Sequence, residues 1–316
     1  LYGAVFNADG SGQWRPLTAQ TPVDPLAAPV RVPHSDRSQA GAEKLTSPEA
    51  MALYRQRYQT LGDLYKGEGD AQLGALLIDA HLAANAAGIT PTARPEDTVL
   101  DPASGDLLVT FTSGMPGNDG TPDPAIFRGP QGQSPWNEGW IMRLSEQGEN
   151  RFRWQMVATG GEPADGGLGF ANPDNLAVDP TGSLWMVTDI GTGSQNNDKQ
   201  NGGVFGNNSC WVIPTSGPQA GEAFCFATGP MESELTGLAL TPQADQLFLA
   251  VQHPGERHGR REQNAEEARS FQLKLTNGEP LEQLRWVPLG SNWPNGGIPK
   301  PGVVVIHRRN GQALLS

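Results

Sequence analysis

The chain has 316 residues, a formal net charge of −12, 18% charged and 37% hydrophobic residues, 40 glycines and 27 prolines. This turn-rich balance is typical of a folded domain and excludes a collagen-like or disordered chain, and all-β propellers often reach this length as one unit. The negative charge argues against nucleic-acid binding, because a phosphate backbone would be repelled, and no stretch reaches the roughly 18 apolar residues of a transmembrane helix.

The N-terminal part combines a strand with the only helical signals in the sequence. Residues 1–6 have the pattern of a β-strand, so the sequence opens within a structural element. Ser47 followed by Pro48 is a helix start signal, and apolar spacing predicts a second helix over about residues 70–87. We therefore expect a short helical insertion around residues 47–88.

Beyond Thr90 the sequence reads as short strands bounded by turn residues, and one pattern occurs three times. Each copy has a polar head, a strand, an Asp-Pro or Thr-Pro turn and a second strand. The spacing of the copies suits propeller blades with large loops better than a solenoid. The sequence predicts an all-β fold: a partial β-propeller, with blades of a roughly six-bladed propeller. The three copies cover residues 94–112, 172–189 and 232–252.

A carboxylate occurs near the start of each copy: Glu96, Asp174 and Glu234. Glu96 and Asp174 precede the proline of their turn by the same offset, and Glu234 lies two residues earlier, which preserves the face of a strand. Carboxylates that converge on a propeller channel repel one another unless a cation lies between them, and oxygen ligands suit hard ions such as calcium. The alternative is that these residues cap turns by accepting backbone N–H bonds.

Two cationic or titratable residues accompany these carboxylates. Arg94 lies two residues before Glu96, and its planar guanidinium suits phosphate oxygens, although a structural Arg–Glu ion pair explains the same spacing. His253 ends the third copy near the expected channel mouth, where a structural histidine is the commoner case. Nucleophile-elbow, P-loop and dinucleotide motifs are absent from the sequence, which argues against nucleotide-driven chemistry.

The two cysteines, Cys210 and Cys225, flank a strong turn signal at residues 214–218. A hairpin there would bring the two thiols face to face as a disulfide. Two buried thiols are an equally acceptable interpretation, and the spacing does not fit a zinc motif.

These motifs together resemble the PhoX-type alkaline phosphatase family, from the first residues to the last. The segments that carry the resemblance are LYGAVFNADGSGQW at residues 1–14, RPE at 94–96, NPDNL at 172–176, ELTG at 234–237, QHPGE at 252–256, and WP at 293–294 followed by VVVI at 303–306.

The resemblance implies a calcium- and iron-dependent enzyme that hydrolyses phosphomonoesters and is exported folded by the twin-arginine route to the periplasm or the exterior. It implies that Arg94 contacts phosphate, that Glu96 is a metal ligand, and that Asp174 and Glu234 are calcium ligands. It also implies that residues 1–316 form the C-terminal half of one propeller phosphatase domain, whose N-terminal half holds a cysteine ligand and further carboxylates.

The sequence departs from the family pattern at three places. Ser113-Gly114 stands where the family has Asn-Asn, residues 136–141 lack the family's histidine, and Ser233 replaces a cysteine. Lost ligands favour an alternative: a non-catalytic calcium-binding propeller that acts as a binding or assembly subunit, with Trp136 and Trp140 facing a partner protein. A calcium-dependent lactonase-like hydrolase is a third hypothesis.

Overall fold

The computed structural model describes residues 1–36, 41–117 and 120–314. Strands dominate this part of the chain, and none of its helices is long and apolar enough to cross a membrane. The helices are α1 (Pro48–Arg57), α2 (Leu61–Leu64), α3 (Gly69–Ile78) and α4 (Ala80–Ala86). The strands are β1 (Tyr2–Phe6), β2 (Ser11–Pro16), β3 (Val30–Pro33), β4 (Ala42–Leu45), β5 (Pro95–Leu100), β6 (Leu107–Phe111), β7 (Trp140–Gly148), β8 (Arg151–Thr159), β9 (Pro173–Val178), β10 (Leu184–Thr188), β11 (Ser209–Ile213), β12 (Phe224–Thr228), β13 (Glu234–Leu240), β14 (Gln246–Gln252), β15 (Glu266–Lys274), β16 (Pro280–Pro288) and β17 (Gly302–His307).

The chain forms two compact units. The first comprises Leu1–Ala93, Met115–Phe127 and Ser145–Trp154, and the second comprises Arg94–Gly114, Arg128–Leu144 and Gln155–Ser316.

The first unit is built from two hairpins and the helices. In it β1 pairs with β2, β2 also pairs with the start of β8, and β3 pairs with β4. The helices enclose a core in which Leu61 and Leu76 are fully buried. Tyr54 lies in the same core, where its hydroxyl keeps a partner by donating a 2.8 Å hydrogen bond to the Pro33 carbonyl.

The predicted helix start is confirmed, and the predicted second helix is wrong in its extent. The Ser47 hydroxyl accepts a hydrogen bond from Ala50 N at 3.2 Å, and α1 begins at Pro48. The single helix expected over residues 70–87 is broken at Asp79, which leaves the α-helical region with φ −99° and ψ 28°. The Asp79 carboxylate accepts a 2.8 Å hydrogen bond from the Tyr65 hydroxyl, a tertiary contact that apolar spacing cannot reveal.

The second unit is a set of antiparallel sheets. Strands β5, β6 and β7 pair in that order, β9 to β12 form a four-stranded sheet, β14 lies between β13 and β17, and β15 and β16 form a two-stranded ribbon. Trp185, Leu247 and their neighbours fill a hydrophobic core between the blade-like sheets. The prediction of an all-β, partial β-propeller-like fold with helices inserted near its start is confirmed.

The three predicted copies correspond to the hairpins β5/β6, β9/β10 and β13/β14. In each hairpin two residues of the first strand lie opposite one residue of the second, which is a β-bulge. A bulge bends its strand and redirects the side chains beside it. Each copy of the repeated pattern therefore forms a hairpin whose first strand, which begins with the polar head, contains a β-bulge.

Neighbouring hairpins are joined by side chains from the bulges. The Asp97 carboxylate accepts a 2.9 Å hydrogen bond from Leu176 N, and the Asn175 side-chain oxygen accepts one of 2.9 Å from Gly237 N. Each bond connects a residue of one bulge to the backbone of the next hairpin in the sequence. These links set the distance between the polar heads of successive hairpins.

The two cysteines are free and lie on opposite faces of one sheet. Cys225 pairs with Trp211, whereas Cys210 is the residue before Trp211 and points to the other face. Cys210 is buried, which raises the pKa of its thiol to about 12, and Cys225 is exposed. Neither the disulfide nor the pair of buried thiols is present, because the register separates the two side chains.

Candidate metal centre

Three carboxylates of the second unit converge at one end of its hairpins. Asp174, Asp189 and Glu234 each offer an oxygen, and these oxygens lie within 4.8 Å of one another. All three residues are half-buried, so their charges are only partly screened by water. We call these three residues the carboxylate cluster.

The cluster is assembled by strand ends and a bulge. Asp174 lies in the bulge of β9, Asp189 follows β10 directly, and Glu234 is the first residue of β13. Asp189 N donates a 2.8 Å hydrogen bond to the Asn172 carbonyl, which keeps the two chain segments paired beyond the last residue of β10. The bulge of β9, and not simple strand alternation, determines where the Asp174 side chain points.

Hydrogen bonds from both neighbouring hairpins hold the Asp174 segment. The Thr110 hydroxyl donates to the Asp174 main-chain oxygen at 2.6 Å. Asn175 donates to the Asp174 carboxylate at 3.2 Å, and its own side-chain oxygen accepts a 2.6 Å bond from the Thr236 hydroxyl. The backbone of Asp174 is therefore fixed on both sides.

Glu234 is held through one of its two oxygens. Its Oε2 accepts a 2.6 Å hydrogen bond from the Gln252 amide, and His253 Nε2 lies 3.4 Å from the same atom. The second ring nitrogen of His253, Nδ1, lies 3.6 Å from Oε2 of Glu256. Because both contacts to Glu234 use Oε2, they orient the carboxylate without engaging Oε1.

Arg94 and Glu96 form an ion pair next to the carboxylate cluster. Arg94 Nη2 lies 2.7 Å from Glu96 Oε1, and the Arg94 side chain is 64% exposed against 27% for Glu96. After burial, the negative charge of Glu96 is the largest cause that raises the pKa of Asp174, and the positive charge of Arg94 offsets part of the rise in the pKa of Asp189, so both residues act electrostatically on the cluster. Of the residues predicted from the sequence, Asp174 and Glu234 are brought together, while Glu96 lies beside them, paired with Arg94.

Burial and mutual repulsion make the cluster unfavourable for three negative charges. Burial first, and then repulsion by Glu96, Asp189 and Glu234, raises the pKa of Asp174 from 3.8 to about 7. Burial and the charge of Glu234 likewise raise the pKa of Asp189. A bound cation would remove this repulsion, and an all-oxygen donor set matches the preference of hard cations.

Asp189 was not identified in the sequence analysis, although a signal for it exists. It ends the second strand of the second copy, at the position that Thr112 and Gln252 occupy in the other copies. The regular carboxylates occur in the first strand of each copy, whereas Asp189 follows a second strand. Asp189 is acidic where the other two copies have an uncharged residue, and it is the third member of the carboxylate cluster.

Trp136 and Trp140, which the alternative of a binding subunit would turn toward a partner protein, pack within the second unit. Trp140 is fully buried, and its indole N–H donates a 3.0 Å hydrogen bond to the Arg128 carbonyl. The Trp136 ring lies so close to Gly129 and Gly161 that a Cβ at either position would approach it to 2.5 Å or less. These aromatics therefore do not form an exposed binding surface.

The fold and the candidate site together define an all-β protein of propeller-like build with a carboxylate-rich centre. The sequence matches the alkaline phosphatase PhoX family over residues 1–255, and the chain belongs to that family. No curated protein matches the chain.

Solved structures with similarity to the chain include Pseudomonas fluorescens PhoX in complex with vanadate, a transition state analogue. That structure is 24% identical with a TM-score of 0.58, covering 99% of this chain and 45% of the other. The chain thus spans less than half the length of this relative, and the similarity at this identity concerns the fold.

Two gluconolactonase structures also match, one from Xanthomonas campestris and one described as putative. They are 15% and 18% identical, with TM-scores of 0.25 and 0.26. The matches cover 68% and 63% of this chain and 64% of each of those chains. At these TM-scores they carry no argument about fold or function.

Proposed function

We propose that the protein containing this chain is a metal-dependent phosphatase that hydrolyses phosphomonoesters. The observation that carries the proposal is the convergence of Asp174, Asp189 and Glu234, beside Arg94, in a chain of the alkaline phosphatase PhoX family. Carboxylates suited to a cation and a guanidinium suited to phosphate oxygens are the two elements that binding of a phosphate ester requires.

Calcium is the cation proposed for the carboxylate cluster. The three ligands are half-buried carboxylates, and burial together with neighbouring negative charge raises the pKa of Asp174 and of Asp189, so the donor set fits a hard divalent ion. Of the two thiols, Cys210 is buried in a hydrophobic core, so it is not a ligand of this centre. Iron as Fe3+ is the second proposed metal, on the family resemblance, and Glu96 is proposed as a further ligand. When bound, such cations neutralise negative charge on the phosphoryl oxygens.

Arg94 is proposed to orient the substrate. Its Nη2 donates to Glu96, which restrains the guanidinium, while the exposed side chain leaves its remaining N–H groups for phosphate oxygens. Donors that are held in place before the reaction stabilise developing charge without reorganisation. Glu96 therefore connects the two halves of the proposed site, as a partner of Arg94 and as a neighbour of Asp174.

The biological setting is part of the same proposal. Family membership supports a periplasmic or extracellular location and export in the folded state by the twin-arginine route. It also supports the hypothesis that this chain supplies the C-terminal half of a longer phosphatase domain, since it spans 45% of the solved relative.

The decisive experiment is an assay of the full-length protein with p-nitrophenyl phosphate, before and after removal of metals by a chelator. We expect hydrolysis that the chelator abolishes and that added calcium and iron restore, together with large losses in Asp189→Asn. A lactone substrate serves as the control, because a lactonase-like enzyme would hydrolyse it in place of the ester. Full-length protein that hydrolyses no phosphomonoester with both metals supplied would contradict the proposal.

A further inference from the structure

Two loops next to the carboxylate cluster are hydrogen-bonded to each other along their backbones. Gly255 N donates to the Met231 carbonyl at 3.0 Å, and Glu256 N donates to the Glu232 carbonyl at 3.3 Å. The first loop leads directly into Glu234, and the second follows β14 and carries His253. We call the second loop, residues 253–258, the histidine loop.

Glu232 lies at the centre of this contact and is only 3% exposed. Its Oε2 accepts hydrogen bonds from Arg257 N at 3.1 Å and His258 N at 2.9 Å, and its Oε1 contacts the Nδ1 atom of His258. A buried carboxylate is unfavourable unless such partners surround it. The sequence thus retains a buried acid whose partners all belong to the histidine loop.

The backbone of Glu232 is also unusual. Its φ of 57° lies in the left-handed region, which a residue with a side chain adopts at an energetic cost. His253, at the start of the histidine loop, has a φ of 36° and is held in the same region. Both residues keep these conformations because the two loops constrain each other.

The histidine loop contacts one cluster residue, Glu234, and the chain segment that follows another, Asp189. His253 Nε2 lies 3.4 Å from Glu234 Oε2, and Glu256 contacts the Thr192 hydroxyl, three residues after Asp189. The loop therefore touches the segments of two of the three cluster residues. A displacement of the loop would leave Glu234 with the Gln252 bond alone and would remove the contact to the chain segment that follows Asp189.

We propose that Glu232 is a positioning residue of the candidate metal centre: it clamps the histidine loop so that His253 orients the Glu234 carboxylate. Glu232 acts through the loop and does not itself bind a cation. The inference rests on the proposed function, because it assigns Glu232 a role in shaping the site for calcium. Loss of a residue that orients a metal ligand typically lowers metal affinity by about 10- to 100-fold.

The test is calorimetric titration of calcium into metal-free, full-length protein, comparing Glu232→Gln with a matched control, Asp179→Asn. Asp179 is also a buried carboxylate, 1% exposed, and accepts hydrogen bonds from Thr181 N at 2.8 Å and Ser183 N at 3.1 Å. These backbone partners belong to the turn after β9, and Trp185 Nε1 in β10 donates a 3.0 Å bond to the other oxygen, all at the opposite end of β9 from Asp174. Both variants should lower the melting temperature, but only Glu232→Gln should weaken calcium binding, by about 10-fold or more.

A double-mutant cycle with His253→Ala tests whether Glu232 acts through the histidine. In the His253→Ala background, Glu232→Gln should cause little further loss of calcium affinity, because the orienting contact is already gone. Equal, additive losses in the two backgrounds would overturn the proposed route. Should Glu232→Gln fail to fold, Thr192→Val breaks only the outer contact of the loop and should still weaken calcium binding several-fold.

The outcomes distinguish this inference from the function on which it rests. Wild-type protein that binds no calcium contradicts the proposed centre itself. If wild-type protein binds calcium and Glu232→Gln binds it with the same affinity, the clamp is overturned and the centre remains. If Glu232→Gln does not fold, an unchanged calcium affinity in Thr192→Val has the same meaning. A calcium-binding defect in Glu232→Gln that Asp179→Asn does not share supports the clamp.

Discussion

The Thr110 hydroxyl donates a 2.6 Å hydrogen bond to the main-chain oxygen of Asp174, which is 64 residues further along the chain. The same hydroxyl accepts a 3.0 Å bond from Asp97 N. Thr110 is fully buried, so water cannot replace either bond. One side chain in the middle of β6 therefore connects the bulge of its own hairpin to the bulge that carries a cluster carboxylate.

Thr110→Val should destabilise the fold and loosen the carboxylate cluster together. The isosteric change leaves Asp97 N and the Asp174 carbonyl without a buried partner, which costs about 1–3 kcal/mol in the free energy of unfolding. Urea denaturation measures this loss, and calcium affinity should fall in parallel. The control is Thr215→Val, which removes an exposed 2.9 Å bond to the Gly182 carbonyl and should change neither quantity appreciably. Unchanged stability in Thr110→Val would contradict the assigned role.

Asp174→Asn should change stability and metal binding in opposite directions. Without metal, the substitution removes a half-buried charge that Glu96, Asp189 and Glu234 repel, so metal-free protein at pH 8 should become more stable. With calcium present, the loss of an anionic ligand should reduce affinity strongly. Thermal melts in chelator and in calcium test both statements. Destabilisation of the metal-free protein by Asp174→Asn would show that the hydrogen bond from Asn175 to the carboxylate outweighs the repulsion.

The stability of metal-free protein should fall as pH rises from about 4 to about 7. The pKa of Asp174 is raised from 3.8 to about 7, so over this window the unfolded chain loses a proton that the folded chain still holds, which favours unfolding as pH increases. Asp189, whose pKa is also raised, contributes with the same sign. Other groups titrate in this range, so the measured quantity is the difference in unfolding free energy between wild type and Asp174→Asn at each pH. A difference that does not vary with pH would contradict the raised pKa.

Arg94→Ala should impair phosphate recognition without removing the metals. A lost charge-assisted bidentate contact is worth roughly 2–4 kcal/mol, or about 30- to 1000-fold in kcat/KM when it acts on the transition state. Arg94→Lys should rescue poorly, because an ammonium group cannot reproduce the planar fork. Glu96→Ala should reduce both metal content and turnover. If the pair were only structural, both alanine variants would lower the melting temperature alike and leave activity per folded molecule unchanged.

The fold class and two of the cluster residues were accessible from the sequence for a clear physical reason. A repeated strand–turn–strand pattern with a polar head predicts repeated hairpins, and Asp174 and Glu234 recur within that pattern. The start of α1 followed equally from local chemistry, because Ser47 and Pro48 act through bonds to residues a few positions away.

The remaining features depend on contacts that a single sequence does not display. The bulges place Asp189 beside Asp174 by shifting the register by one residue, and no local signal fixes that shift. The break at Asp79 depends on Tyr65, and the separation of Cys210 from Cys225 depends on the pairing of β11 with β12. The role proposed for Glu232 could not be predicted from the sequence, because its partners lie about 25 residues away in a different loop.

The most direct test of the central claim is a crystal structure of calcium-bound protein with anomalous data to locate the ion. We expect an anomalous peak bonded to oxygens of Asp174, Asp189 and Glu234 at about 2.3–2.6 Å, the usual range for calcium ligands. This expectation would be contradicted by a calcium-saturated protein in which these three carboxylates contact no ion and the bound calcium lies elsewhere.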